Sequence, residues 1–427
     1  MTLGVLLLGL LVTIVIGVPV GWGLGISAVG ALLVMGEPLS TVPQKVFTGM
    51  DIFPLMCIPF FILAGEFMGR GGLTTRLLNF SVIVIGWIRG GLALANVLVS
   101  MLFGGITGSA VADASAVGAV EIPMMIDNGY DRGFSAAITG ASACIGPIIP
   151  PSIPVVIYAM AVSGATIGGL FAAGVIPGIM VGIALMIASY VISCKRHYPK
   201  RKTSVGIKDV MISFKDAFLA LMMPTIIIGG ILSGIFTPTE AAAVSAVYSF
   251  LVSYFIYKAI KLSELPEIFF KTGLASAIVV MIIGTSNIFG MVISFEGLAI
   301  KLGEFLRPLG YYTFILSVNL VFLFVGTFLD LGPAILILAP IFAPIAHAVG
   351  LHPLHFGTIV VVNLVIGMIT PPLGLILFVV GPLAKISVEE VTKEIFPFML
   401  VEIGVLLLIS YVPTISLWIP QLLGFLG

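Results

Sequence analysis

The chain has 427 residues, 59% of them hydrophobic and 9% charged, against about 25% charged in soluble domains. A soluble enzyme or binding module is therefore excluded, and an integral membrane protein is implied. Acidic and basic residues balance at 19 each, and the only basic run, Lys195-Arg196 to Lys200-Arg201-Lys202, is short, which argues against nucleic-acid binding.

In chain order, the first feature is an uncharged stretch from Leu3 to Met35. A single helix of that length would run about 50 Å, beyond the roughly 30 Å hydrocarbon core, so two spans divided at Gly17-Val-Pro19 are expected. No Lys or Arg precedes Lys45, so the basic n-region of a cleaved signal peptide is missing and the first span is expected to stay in the mature protein. Leu39-Ser-Thr-Val-Pro43 opens a short amphipathic arm too small to cross, and a span follows from Phe53 to Met68. The segment from Leu92 to Ile126 turns at Gly104-Gly-Ile-Thr-Gly-Ser-Ala110 and reads as a re-entrant hairpin. Next comes an apolar stretch interrupted by Ile145-Gly-Pro-Ile-Ile-Pro-Pro-Ser152, then a closing span and the basic linker. Cys57, Cys144 and Cys194 have neither disulfide-framework nor metal-ligand spacing.

The second half repeats this order. Spans from Ala217 to Gly234 and from Pro238 to Tyr257 are parted by Phe236-Thr-Pro-Thr. Leu262-Ser-Glu-Leu-Pro266 opens a second arm, Leu274 to Ile293 is a span, and Thr313 to Pro344 is a hairpin turning at Gly326-Thr-Phe-Leu-Asp-Leu-Gly-Pro333. Ile366-Gly-Met-Ile-Thr-Pro-Pro-Leu373 interrupts the next apolar stretch. One offset, 221, superposes Phe103 on Phe324, Gly105 on Gly326, Pro123 on Pro344, Gly129 on Gly350, Gly146 on Gly367 and Pro150-Pro151 on Pro371-Pro372. Composition alone would give roughly one or two Gly/Pro coincidences. The expected fold class is an all-α integral membrane protein of two repeats, each with about five transmembrane helices and one re-entrant hairpin.

Five crossings per unit is odd, so the second repeat should be inverted. With the N-terminus outside, every Lys and Arg except Lys45, Lys301 and Arg307 falls on the inner side, which is the positive-inside bias.

A Pro-Pro pair removes two backbone donors and frees carbonyls in the turn before it. Hydrocarbon cannot satisfy those carbonyls, so such a break persists only beside a cavity or an ion, and a duplicated broken helix marks a secondary transporter. Hard monovalent cations prefer an all-oxygen shell. Two pseudo-symmetric sodium sites are therefore expected, the first from Gly105, Thr107, Ser109, Gly146 and Pro147, and the second from Gly326, Thr327, Asp330, Gly367 and Thr370. Ser142, Thr139, Ser152 and Asn363 add oxygens nearby. No Lys or Arg falls inside the inferred core segments, so an anionic substrate would rest on helix dipoles, hydroxyls, amides and the bound cations. Candidate substrate contacts are Ser109, Ser152, Ser286, Asn287, Thr327 and Thr370. Ser286 and Asn287 equally suit interhelical hydrogen bonding.

The intramembrane acids Asp113, Glu121, Glu240, Asp330 and Glu402 are functional candidates because burial of a charge is costly; Glu240 equally suits a helix cap. His197, His347, His352 and His355 are expected in loops without metal-ligand spacing.

With the broken repeats, the hairpin Gly104-Gly-Ile-Thr-Gly-Ser-Ala-Val-Ala-Asp113 and the segment Gly234-Ile-Phe-Thr-Pro-Thr-Glu-Ala-Ala-Ala243, essentially the whole chain resembles the large membrane subunit of TRAP (tripartite ATP-independent periplasmic) transporters. The resemblance implies a bacterial inner-membrane protein with a periplasmic N-terminus, working by an elevator mechanism in which hairpins and broken helices move against a scaffold and arms. It implies a small four-helix membrane subunit, expected as a separate chain, and a periplasmic substrate-binding protein. It also implies sodium-driven uptake of an organic acid, with sialic acid favoured and a C4-dicarboxylate next, and no cofactor besides coupling sodium ions. The corresponding division is scaffold and arm 1–52, transport core 53–194, linker 195–216, scaffold and arm 217–272 and transport core 273–427. A stand-alone sodium/dicarboxylate symporter or ion antiporter of related fold is the alternative. An intramembrane aspartyl protease using Asp113 and Asp330 fits poorly, since no Gly-x-Gly-Asp motif occurs and the offset does not relate the two acids.

Overall fold

A computed structural model describes residues 1–200, 206–306, 308 and 310–426, with the backbone alone at Ile106. Arg201, Lys202 and Arg307, used above for topology, lie outside the described residues. Among the described residues there are twenty α-helices and no strand.

In the first repeat, α1 (Thr2–Val15) and α2 (Val20–Met35) lie side by side, parted at Gly17 (φ 82°) as Gly17-Val-Pro19 predicts. Small residues let them approach closely: an alanine methyl at Gly23 would sit 2.6 Å from Thr13 Oγ1. Lipid supplies no hydrophobic drive between helices, so close packing of this kind carries the association. The arm α3 (Thr41–Met50) is followed by α4 (Cys57–Arg70), α5 (Leu73–Ile85), the hairpin α6 (Gly91–Thr107) and α7 (Ala110–Asp127), the broken helix α8 (Arg132–Ala143) and α9 (Ile153–Ala161), and the long α10 (Ile167–Lys195).

The second repeat runs α11 (Ile207–Leu232), α12 (Pro238–Leu251) with a π-turn at Val252–Ile256, α13 (Leu265–Phe295), α14 (Leu298–Leu306), the hairpin α15 (Gly310–Gly326) and α16 (Leu331–Ala348), the broken helix α17 (Pro353–Gly367) and α18 (Leu377–Ala384), and α19 (Val388–Tyr411). A further helix, α20 (Thr414–Leu422), follows the closing span. Shifted by 221, α7 falls on α16 end for end. Among the described residues, seven helices, some with their flanking turns, are long and apolar enough to cross a membrane, and most of the shorter apolar ones belong to hairpins, broken helices or the Gly-Pro-divided pair.

Four features differ from the sequence expectation. The second arm is not a separate segment but the first turns of the 31-residue α13. In the first repeat Pro54 opens a 3₁₀ turn after Asp51 and Ile52, whereas Ala275 stands at the equivalent position and lets the helix continue. Helix α11 starts ten residues before Ala217, where Asp209 Oδ2 accepts the Gly206 N–H at 3.0 Å, so much of the expected linker is helical. Short helices α5 and α14 intervene before each hairpin. Finally, α4 packs chiefly on α12, part of the expected scaffold, and on α13, most of which falls in the expected second core, and less on the hairpin that follows it.

The broken helices form the centre. All of α8 from Phe134 to Ala143 and all of α17 from Leu354 to Gly367 is buried, enclosed by α6, α7, α10, α15, α16 and α19. Large apolar side chains of α1, α2, α11 and α13, such as Leu8, Trp22, Ile212 and Phe270, are exposed, as lipid contact requires.

Candidate functional site

The first break occupies residues 144–152. Carbonyls of Gly146, Ile148, Ile149, Pro150 and Pro151 accept no backbone hydrogen bond among the described residues, as expected where Pro147, Pro150 and Pro151 lack N–H groups. The hairpin tip packs directly onto this segment. An alanine methyl at Gly104 would lie 2.6 Å from Gly146 Cα, one at Gly105 3.2 Å from the Pro150 oxygen, and one at Gly108 2.6 Å from the Pro151 oxygen. Gly108 also needs its left-handed conformation (φ 59°) to reverse the chain between α6 and α7.

Ser109 caps α7, accepting the Ala112 N–H at 3.4 Å. Thr107 Oγ1 is buried with no hydrogen-bond partner among the described residues. Ser152 caps α9 by accepting the Val155 N–H at 3.3 Å and donates to the Pro147 carbonyl. Pro147, expected as a ligand, thus has its oxygen already engaged; Pro150 and Pro151 are the carbonyls that lie against the hairpin. The Pro-Pro pair itself was the signal for them.

The second break, residues 368–376, is built alike. Carbonyls of Ile369, Thr370, Pro371, Pro372 and Leu373 accept no backbone hydrogen bond among the described residues. A methyl at Gly367 would lie 2.6 Å from Gly326 Cα, and the Gly374 N–H donates to the Thr327 carbonyl at 3.2 Å. Thr327 donates to the Phe324 carbonyl and Thr370 to the Ile366 carbonyl, each at 2.8 Å. A hydroxyl that spends its proton on its own helix keeps lone pairs for another partner.

Between the two tips lies a cavity of about 670 Å³. Thr107 and Ser109 line it from the first hairpin, Asp330 from the second, and Met368 from the second break; α4 and α13 close the far side. Asp330, at the N-cap of α16, is exposed to it. Another cavity of the same size, among Arg76, Asn128, Lys200 and Asp216, touches neither break nor either tip.

Ser286 and Asn287 are placed elsewhere. Both stand on α13, which packs along the arm α3, and Asn287 abuts Gly49 there; neither lines the cavity. Arg70 and Glu66 of α4 do line it, although the charge pattern had assigned Arg70 to an inner loop. Its position is invisible without the packing of α4. His347 and His355 lie in helices, not loops, and His355 is buried with Nδ1 2.7 Å from Ser416 Oγ. Glu240 completes a capping box: its carboxylate accepts the Thr237 N–H at 2.8 Å and hydroxyl at 2.9 Å.

Behind each break is a hydrogen-bonded polar core. Asn96 donates to Thr139 at 2.7 Å and accepts from Ser142 at 2.8 Å; Asn363 donates to Asn319 Oδ1 at 2.8 Å, and Asn319 to Ser410 at 3.0 Å. Asp113, Glu121 and Glu402 are fully buried without a hydrogen-bond partner among the described residues, and Asp113 Oδ2 lies 3.7 Å from where a Gly146 methyl would be. At one end of the core, Arg196 joins Asp131 (3.3 Å) and Glu394 (2.7 Å). Tyr198 donates to the same Asp131, and burial together with that carboxylate pushes its phenol up to about 12. These contacts tie the ends of α8, α10 and α19 together. No cluster of three His, Cys, Asp or Glu suited to a metal occurs among the described residues.

A sequence profile described as "Tripartite ATP-independent periplasmic transporter, DctM component" matches residues 7–415. The "C4-dicarboxylate TRAP transporter large permease protein DctM" of Rhodobacter capsulatus is 38% identical over 98% of this chain and 99% of its own length. The "Sialic acid TRAP transporter large permease protein SiaM" of Vibrio cholerae is 39% identical over 96% of each chain. The solved structure of Neisseria gonorrhoeae MtrF has a TM-score of 0.63 over 89% of this chain and 83% of that one at 13% identity, a likeness of fold alone. The profile, the near-complete overlap with both permeases and the paired broken helices agree: this chain belongs to the DctM family of TRAP transporter large permeases.

Proposed function

We propose that this chain is the translocating subunit of a sodium-coupled importer of an organic acid. The observation that carries the reading is the cavity bounded by both hairpin tips, each tip packed against a break rich in free carbonyls. Sodium held at Gly105, Thr107, Ser109, Pro150 and Pro151, and at Gly326, Thr327, Gly367 and Thr370, would supply the positive charge that a carboxylate needs on leaving water. Asp330 adds a carboxylate at the second site.

The hairpins, the broken helices, α10 and α19 form the moving block, and α1–α4 with α11–α13 form the scaffold. With the N-terminus periplasmic, α4 ends at Arg70 on the cytoplasmic side, so a cavity reaching Arg70 is open inward. A small four-helix membrane subunit and a periplasmic substrate-binding protein complete the system in the bacterial inner membrane. Sialic acid is the favoured substrate and a C4-dicarboxylate the next; the two permeases of these substrates are similar to this chain to the same degree.

The test is uptake into proteoliposomes holding this chain with its small subunit and binding protein, comparing sialic acid with succinate under imposed sodium or proton gradients. Strict sodium dependence, weakened by Ser109→Ala or Thr327→Ala, is expected. Equal uptake driven by protons without sodium would overturn the coupling, and robust uptake by this chain alone would favour a stand-alone symporter.

A further inference from the structure

Among the residues lining the cavity between the hairpin tips, Arg70 is the single basic one, and Glu66 and Asp330 are the acids. Two carboxylates beside the path of an organic anion repel it, so departure toward the Arg70 end requires a compensating cation. Arg70 stands in the last turn of α4, where exposed carbonyls favour positive charge. Its guanidinium holds Glu267 at 2.7 Å and Glu66 at 3.7 Å. Glu267 is shared, since Lys271 also reaches it at 3.1 Å. Arg70 can therefore release Glu267 without stranding it, because Lys271 keeps the carboxylate paired. The side chain is 25% exposed, enough to receive a ligand, and its planar fork suits a carboxylate in two-point contact.

We propose that Arg70 is a release-side docking residue, on which the carboxylate of the departing substrate replaces Glu267 before it reaches the cytoplasm. This rests on the importer reading above and on the placement of α4 in the scaffold, which keeps Arg70 still while the hairpin tips carry substrate to it.

A structural ion pair and a docking residue make opposite predictions. If the pair only braces α4 against α13, Arg70→Gln and Glu267→Gln remove the same bond and act in the same direction. If Glu267 competes with substrate for Arg70, the two act in opposite directions. The experiment uses the complete three-component system in proteoliposomes preloaded with graded unlabelled succinate or sialic acid, whichever the wild type takes up, and measures initial uptake against internal concentration. Arg70→Gln should raise the internal concentration giving half-inhibition about tenfold, a larger shift than in external KM. Arg70→Lys should restore part of it, and Glu267→Gln should lower it. Shifts of the same sign in Arg70→Gln and Glu267→Gln, or none in Arg70→Gln, would overturn the assignment. Absence of wild-type uptake of either acid would instead sink the importer reading, before any variant is compared.

Discussion

The thiol of Cys144 donates to the carbonyl of Val365 at 3.5 Å, and the two residues are 221 positions apart. Since 221 is the repeat offset, Cys144 touches its own counterpart, and the contact marks the pseudo-two-fold axis relating the halves. The first break begins at Cys144 itself and the second three residues after Val365, so both candidate cation sites are anchored to one buried crossing.

If the proposed block moves as a unit, a crossing buried within it should stay closed throughout the cycle. Cys144 and Cys57 are buried and Cys194 partly exposed. Maleimide should therefore modify Cys194 alone, to the same extent with and without sodium and substrate, as read by mass spectrometry of the intact protein. Sodium-dependent modification of Cys144 would mean that the broken helices separate during transport.

The hairpin contacts predict an asymmetry between neighbouring glycines. A methyl at Gly104 meets Gly146 Cα at 2.6 Å, whereas a methyl at Gly146 finds nothing closer than 3.4 Å. Gly104→Ala must push hairpin and break apart, at about 1–3 kcal/mol, while Gly146→Ala fits in ordinary van der Waals contact. Uptake should fall at least tenfold in the first variant and less than threefold in the second. Comparable losses in both would show that the tip is not seated as described.

Much of this arrangement was legible from the chain because glycine and proline act locally. Gly17, the Pro-Pro pairs and the Gly-rich tips dictate where a helix ends, whatever surrounds it. The continuous α13 was legible only by noticing that Ala275 replaces Pro54. The cavity-facing position of Arg70 and the arm contact of Asn287 were hidden for a different reason: whether a helical residue faces a cavity or an arm depends on how α4 and α13 pack, and largely apolar helices carry little periodicity to reveal a face. The buried Asn319–Asn363 pair was likewise hidden, being a contact across 44 residues.

Outside the spans, His352 provides a pH test. Its Nδ1 accepts the Leu354 N–H at 3.2 Å, capping α17, and only a neutral ring can do so. Burial, with His347 nearby, lowers its pKa below the reference 6.5. The folded state thus binds fewer protons there than the unfolded chain, so this contribution is complete above about pH 6.5 and is lost as pH falls through the lowered folded value. Thermal unfolding of the purified protein should show a smaller decline on acidification in His352→Asn, which keeps an acceptor but cannot titrate. An unchanged decline would assign the pH response to other groups.

The polar core behind the second break should behave as one unit. Asn363 donates to both the backbone and the side-chain oxygens of Asn319, at 3.0 and 2.8 Å, and Asn319 passes the chain on to Ser410. Replacing Asn363 with Leu strands the buried Asn319 Oδ1 at about 1–3 kcal/mol, whereas a surface change in α17's surroundings would cost little. If the two amides act together, Asn319→Leu should cost a similar amount, but the double variant should cost less than the two added together, with a coupling of about 0.5–3 kcal/mol. Both stability and sodium-dependent uptake should follow that pattern, since Asn363 stands one turn before Gly367 and fixes the helix end from which the second set of free carbonyls begins. Additive losses would separate the pair and leave the position of the break to backbone packing at Gly326 and Gly367.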